Sequence, residues 1–191
     1  MQRLSTAIAK KIHHGHVLVH DSQIIQTLRP PCDVFISHRG VETKRSVAGL
    51  LHNFLSLLGV RPFLDVRSLK PGDKLLEEIN AAIYGCKVGV AVFSPRWCES
   101  WFCLHELALL VEAKKRVIPI YCDVEASQLQ VDDAQHSASD FLRYRHALEE
   151  AKSNVGLSFY SSQGDWSKLV RDASDAVLHN LLEAEVEKPQ L

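Results

Sequence analysis

The sequence predicts an α/β domain in which a parallel sheet is covered by helices on both faces. Short apolar runs alternate with segments whose apolar residues recur every three or four positions, the mark of strands followed by amphipathic helices. The short runs are continuously apolar, as strands buried on both sides are, rather than alternating with polar residues. A length of 191 residues suits one domain with a tail and rules out two large ones.

The first expected strand is Cys32 to Ser37, and Val47, Leu50, Leu51, Phe54, Leu55 and Leu58 then repeat at helical spacing up to Gly59. Pro62 to Leu64 is a short strand, and Asp65 to Asp73 a loop containing Pro71 and Gly72. Leu75 to Tyr84 is a helix with Leu76, Ile79 and Ile83 on one face, followed by a buried strand from Lys87 to Phe93. Trp101, Leu104, Leu107, Ala108 and Val111 mark the next helix, Val117 to Tyr121 the next strand, and Phe141 to Ala151 a further helix. Leu157 to Tyr160 is the expected last strand, and Trp166 to Leu182 the closing helix.

The expected organisation is an N-terminal extension over 1–31, a domain over 32–185 and a tail over 186–191. The extension carries Arg3, Lys10 and Lys11 with no acid before Asp21, and Leu4, Ala7, Ile8 and Ile12 share a helical face. An amphipathic organelle presequence, a surface helix and a disordered extension all fit that composition. His13, His14, His16 and His20 lack carboxylate or cysteine partners in the sequence, so a solvated cluster is expected there and no metal site.

Lys and Arg number 22 against 23 Asp and Glu, a net charge of −1, which gives no global attraction to nucleic acid or anionic lipid. Hydrophobic residues make up 46% and charged residues 24%, enough to bury a full core. No apolar run reaches membrane-spanning length. Cys32, Cys86, Cys98, Cys103 and Cys122 are odd in number and form no CxxC pair, so buried reduced thiols in a reducing compartment are expected. The cytoplasm is the expected location, with organelle targeting by the extension as the alternative.

In an open doubly wound sheet, ligands bind at the carboxyl ends of the strands. The loops to inspect are therefore Ser37-His38-Arg39-Gly40, the stretch from Asp65 to Gly72, and Ser94 to Ser100. They bring Arg39, Arg67, Lys70 and Arg96 together with Trp97, Phe102, Asp65, Glu99 and Glu106. Guanidinium forks suit phosphates and aromatic faces suit a flat base, so a nucleotide-like ligand fits. Neither GxGxxG nor GxxxxGK[ST] is present, which excludes Rossmann dehydrogenase and P-loop readings on motif.

Those same loops resemble plant Toll/interleukin receptor (TIR) domains. Asp33 to Gly40 is similar to the family's D-V-F-L-S-F-R-G, with Glu42, Thr43 and Lys44 near its E-D-T-R continuation. Gly59-Val60, Phe63-Leu64-Asp65 and Leu69 to Asp73 match the segment that forms its second-strand loop, and Phe102 to Leu107 resembles W-C-L-x-E-L. Pro119-Ile120-Tyr121 and Tyr144 to Leu148 are similar to P-I-Y and W-R-x-A-L.

The resemblance implies a flavodoxin-like five-stranded parallel sheet and an NAD+ glycohydrolase active in plant innate immune and cell-death signalling, with the TIR domain as its only domain. It implies Glu106 as the catalytic glutamate. Ser37, His38, Arg39, Gly40, Asp65, Arg67, Trp97 and Phe102 are the implied substrate pocket. NAD+ or NADP+ is the substrate and no cofactor is expected. Homotypic TIR association is implied as well, with Gly49 and Leu50 standing where the family commonly has Ser-His at a symmetric contact. The alternative is a noncatalytic adaptor that works through that association. His38, Phe102 and Trp97 replace the family's usual Phe, Trp and Tyr.

Each of these residues also has a plainer reading. Glu106 fits a solvated helical carboxylate, Arg39 a surface ion pair and Ser37 a local backbone bond. Cys103 is either a buried inert thiol or, near a helix N-terminus, a reactive one. Trp97, Trp101 and Phe102 fit a core as well as a stacking platform. A single carboxylate nevertheless suffices for the chemistry, because nicotinamide leaves NAD+ as a neutral base and needs no general acid, unlike an ordinary glycoside.

Overall fold

A computed structural model describes residues 32–64, 68 and 72–186. The whole N-terminal extension, the loop positions Asp65, Arg67, Lys70 and Pro71, and residues 187–191 lie outside the described residues, and so do the expectations placed on them.

Five strands form one parallel sheet: β1 (Val34–His38), β2 (Pro62–Phe63), β3 (Val88–Phe93), β4 (Arg116–Cys122) and β5 (Leu157–Phe159), in the order β2-β1-β3-β4-β5. All neighbours run parallel, with Val34 opposite Val88 and Val88 opposite Arg116. The chain starts in the middle and reverses its direction of growth between β1 and β3, so the loops after these two strands border the switch-point crevice. Pro62 is tolerated in β2 because that strand lies at the edge.

The helices are α1 (Gly40–Thr43), α2 (Val47–Leu57), α3 (Leu75–Gly85), α4 (Trp101–Glu112), α5 (Ala138–Ser153) and α6 (Trp166–Val186). The one-turn α1 has no apolar period and was not expected. The helix α5 starts three residues earlier than its apolar pattern, because the Ser137 hydroxyl accepts from Asp140 N at 3.2 Å and caps it. Gly59, at φ +80°, takes the left-handed turn that ends α2.

The side-chain period of two in the strands divides the core into two layers. Val34, Ile36, Val88, Val90 and Val92 pack with α2 and α6 through Val47, Leu51, Leu55, Leu169 and Val177. Phe35, Ala91 and Phe93 pack on the other side with Ile79, Ile83, Leu104, Leu107 and Tyr144 from α3, α4 and α5. Gly89 lets α4 come close to the sheet: a Cβ there would meet Leu110 Cδ1 at 2.8 Å. Among the described residues no helix is long and apolar enough to cross a membrane.

Candidate active site

The helix α4 carries the central side chain. Ser100 caps it by accepting from Cys103 N at 3.4 Å, and Glu106 lies in its second turn, 7% exposed. A carboxylate removed from water needs compensating donors. The Ser37 hydroxyl, itself 0% exposed near the carboxyl end of β1, donates to Glu106 Oε2 at 2.6 Å. Glu106 is therefore a held, buried carboxylate at the crevice and not the solvated helical one of the plainer reading.

Arg39 follows β1 directly and its guanidinium is already engaged. Nη1 donates to Glu99 Oε2 at 3.2 Å and to the carbonyl of Arg96, while Nε lies 3.6 Å from Glu42 Oε2. Glu42 in turn accepts the Ser94 hydroxyl at 2.7 Å. Glu99 also binds Arg96 Nε at 2.9 Å, and Arg96 beside it holds its carboxyl below the usual range. Two guanidinium groups thus converge on one carboxylate oxygen in the loop after β3. Glu42 is a partner of Arg39 not among the expected site residues; the three-residue spacing of Arg39 and Glu42, and of Arg96 and Glu99, is its sign in the sequence.

Other expected site residues divide. Gly40 opens α1, and a Cβ placed on it would meet nothing within 4 Å, so the space beside it is open. His38 is buried at the last position of β1. Phe102 is 41% exposed one turn before Glu106, on the same side of α4 by helical spacing. Its ring meets Trp101 edge-on at 5.1 Å. Trp101 stacks on His105 at 4.9 Å, and burial, ahead of the nearby Arg143 charge, pushes the His105 pKa down.

Trp97 departs from expectation. It is fully buried, packs edge-on to Phe93 at 4.7 Å and belongs to the core beneath α4, so it offers no open face to a ligand. The 3-10 turn Trp97–Glu99 folds its indole inward. Gly49 is also corrected: it is buried on the inner side of α2, so of the Gly49-Leu50 pair only Leu50 can take part in a contact. Leu50, Phe54 and Leu57 of α2 and Leu58 just after it are exposed and form an apolar stripe at spacings of four, three and one.

None of the five cysteines is in a disulfide. Burial pushes the thiol of Cys32 up to about 12 and those of Cys86, Cys98 and Cys122 to about 11, which keeps them protonated and unreactive near neutral pH. Cys103 is 2% exposed, the inert alternative of its two readings. Among the described residues no three His, Cys, Asp or Glu side chains gather as a metal ion would need.

Comparison with known proteins adds to this geometry. The TIR domain family model matches residues 34–154. The probable 2' cyclic ADP-D-ribose synthase BdTIR of Brachypodium distachyon is 47% identical over 154 residues, covering 78% of this chain and 69% of that protein. The TMV resistance protein N of Nicotiana glutinosa is 34% identical over 102 residues, which is 51% of this chain but 9% of that much longer one. Among solved structures, the TIR domains of the activated Roq1 resistosome that directly recognises the pathogen effector XopQ superpose with a TM-score of 0.68 at 28% identity, covering 76% of this chain and 99% of that one. The family model spans β1 to β4, the five-stranded parallel sheet is that of the solved TIR domains, and the chain belongs to the TIR domain family.

Proposed function

We propose that this protein cleaves the nicotinamide–ribose bond of NAD+ or NADP+, releasing nicotinamide with ADP-ribose or a cyclic form of it, and that it acts in plant immune and cell-death signalling. The observation that carries the proposal is Glu106, a carboxylate 7% exposed at the switch-point crevice and held by Ser37 at 2.6 Å. Support comes from the 47% identical Brachypodium relative, named a probable 2' cyclic ADP-D-ribose synthase.

As the bond from ribose C1' to the pyridinium nitrogen breaks, its electron pair passes to nicotinamide, which leaves neutral, and positive charge develops on the ribose. A fixed carboxylate stabilises that charge in the transition state more than in the ground state. Water attacking C1' and losing a proton gives ADP-ribose; a hydroxyl of the same dinucleotide gives a cyclic product. Arg39, released from Glu99, is assigned the diphosphate. The exposed ring of Phe102, one turn before Glu106, is assigned the nicotinamide ribose.

Self-association is the proposed control. The stripe of Leu50, Phe54, Leu57 and Leu58 gains from being covered by a second copy, at about 25 cal/mol per Å² of apolar surface. The same stripe serves the adaptor alternative, which lacks a use for Glu106. Five cysteines outside any disulfide suit a reducing compartment, and the cytoplasm is the proposed location. Incubating the purified chain with NAD+ and resolving the products by mass tests the proposal: nicotinamide in equal amount to ADP-ribose or its cyclic form supports it, and intact NAD+ rejects it.

A further inference from the structure

The strand β1 is buried along its whole length and its side chains alternate between the two sheet faces. Val34 and Ile36 face α2 and α6, whereas Phe35 faces α4, so Ser37 shares the α4 side. A serine there at 0% exposure is costly unless its hydroxyl is bonded, and so is a carboxylate at 7%. Each answers the other. The separation of 2.6 Å lies in the range of a charge-assisted O–H···O⁻ bond, roughly 2.5–2.7 Å.

We infer that Ser37 is a positioning residue for Glu106 and not a ligand of the substrate, an inference that rests on the NAD-cleaving reading above. Having no exposed surface, Ser37 cannot touch a dinucleotide. By fixing Oε2 it sets the rotation of the carboxylate about its last bond, and therefore where Oε1 is presented. Charge on the ribose develops only as the bond breaks, so this orientation governs turnover and not substrate binding. A side chain misplaced by about 1 Å can lower turnover by as much as 10²-fold.

The test is a double-mutant cycle with Ser37→Ala, Glu106→Gln and the double variant, scored by nicotinamide release with kcat and KM separated and a melting curve for each protein. Ser37→Ala is expected to lower kcat about 10- to 100-fold and leave KM within about threefold. In the Glu106→Gln background it removes less than about threefold more, because residues acting as one unit are non-additive. Ser37→Cys, which fills the site with a weaker donor, is run beside it for a fold-neutral reading and loses kcat in the same direction. Unchanged kcat in both Ser37 variants, a raised KM with kcat intact, or the full Ser37→Ala factor on top of Glu106→Gln overturns the inference. Wild-type protein inert toward NAD+ removes the proposed function and this role with it; an active wild type with additive losses removes this role alone.

Discussion

At the amino end of β1, Asp33 accepts from Arg61 N at 3.1 Å and from Arg61 Nε and Nη2 at 2.8 Å, with Lys87 Nζ at 3.7 Å. At the carboxyl end, Glu106 receives the hydroxyl of Ser37 at 2.6 Å. The guanidinium cancels the charge of Asp33 and holds its carboxyl below the usual range, while ordinary ion pairs from Lys87 to Glu185 and from Arg116 to Glu183 tie α6 to the same edge of the sheet. A hydroxyl, by contrast, orients a carboxylate while bringing no formal charge of its own. Both edges carry ion pairs, Arg61 on Asp33 at one and Arg39 and Arg96 on Glu99 at the other; the difference lies in Glu106, a buried carboxylate held by a hydroxyl, which the proposed function uses for its charge. In a parallel sheet every strand presents the same end to the same side, so Asp33 and Glu106 lie at opposite edges.

The largest effect expected from breaking the comparison is at Glu106. Glu106→Gln keeps the shape, removes the charge and lowers turnover by about 10²-fold, the scale of one electrostatic stabiliser; a nicotinamide-release assay reads it. Next comes Leu50→Glu, which puts a charge on the exposed stripe of α2 and is expected to lower specific activity about 10-fold at concentrations where the wild type associates, with an unchanged melt because Leu50 is 43% exposed. Activity across a dilution series, run beside sedimentation, checks it.

Glu99→Gln is smaller still. It frees Arg39 and Arg96 from a competing carboxylate, so KM for NAD+ should fall about two- to fivefold with kcat unchanged, the modest scale of exposed ion pairs. A rise in KM would mean that Glu99 aims Arg39 rather than occupying it. The smallest effect concerns pH. Because the folded-state pKa of Asp33 is depressed, its stabilisation is present above the unfolded carboxyl value of about 3.9 and is lost as pH falls through the depressed one. The gap in Tm between wild type and Asp33→Asn should therefore be full at neutral pH and close progressively below about pH 4, as a melting series will show.

Much of the sheet was legible because β1, β3 and β4 are buried on both faces, and continuous apolar runs report that directly. Glu106 was legible only through its motif, since periodicity alone leaves a glutamate in an amphipathic helix looking solvated. Ser37 was read as a residue with either a local bond or a substrate contact, and its partner 69 positions away on α4 was invisible, because a sequence shows which face a side chain takes but not what meets it there. Arg39 reads from the sequence as a crevice-loop residue, yet its engagement by Glu99 across 60 positions is likewise a tertiary fact. Trp97 was misread for the same reason: an aromatic side chain in a crevice loop looks alike whether the 3-10 turn folds it outward or, as here, into the core.

The most direct test of the division between the two edges is to measure turnover and Tm for Asp33→Asn and Glu106→Gln on matched preparations. Asp33→Asn should melt lower by about 1–2 kcal/mol of stability, the scale of a charged hydrogen-bonded pair that is partly exposed, and release nicotinamide at the wild-type rate. Glu106→Gln should melt close to wild type, since Glu and Gln have similar helix propensities, and release about 10²-fold less. Wild-type turnover in Glu106→Gln, or turnover lost in both variants in step with stability, would contradict the account.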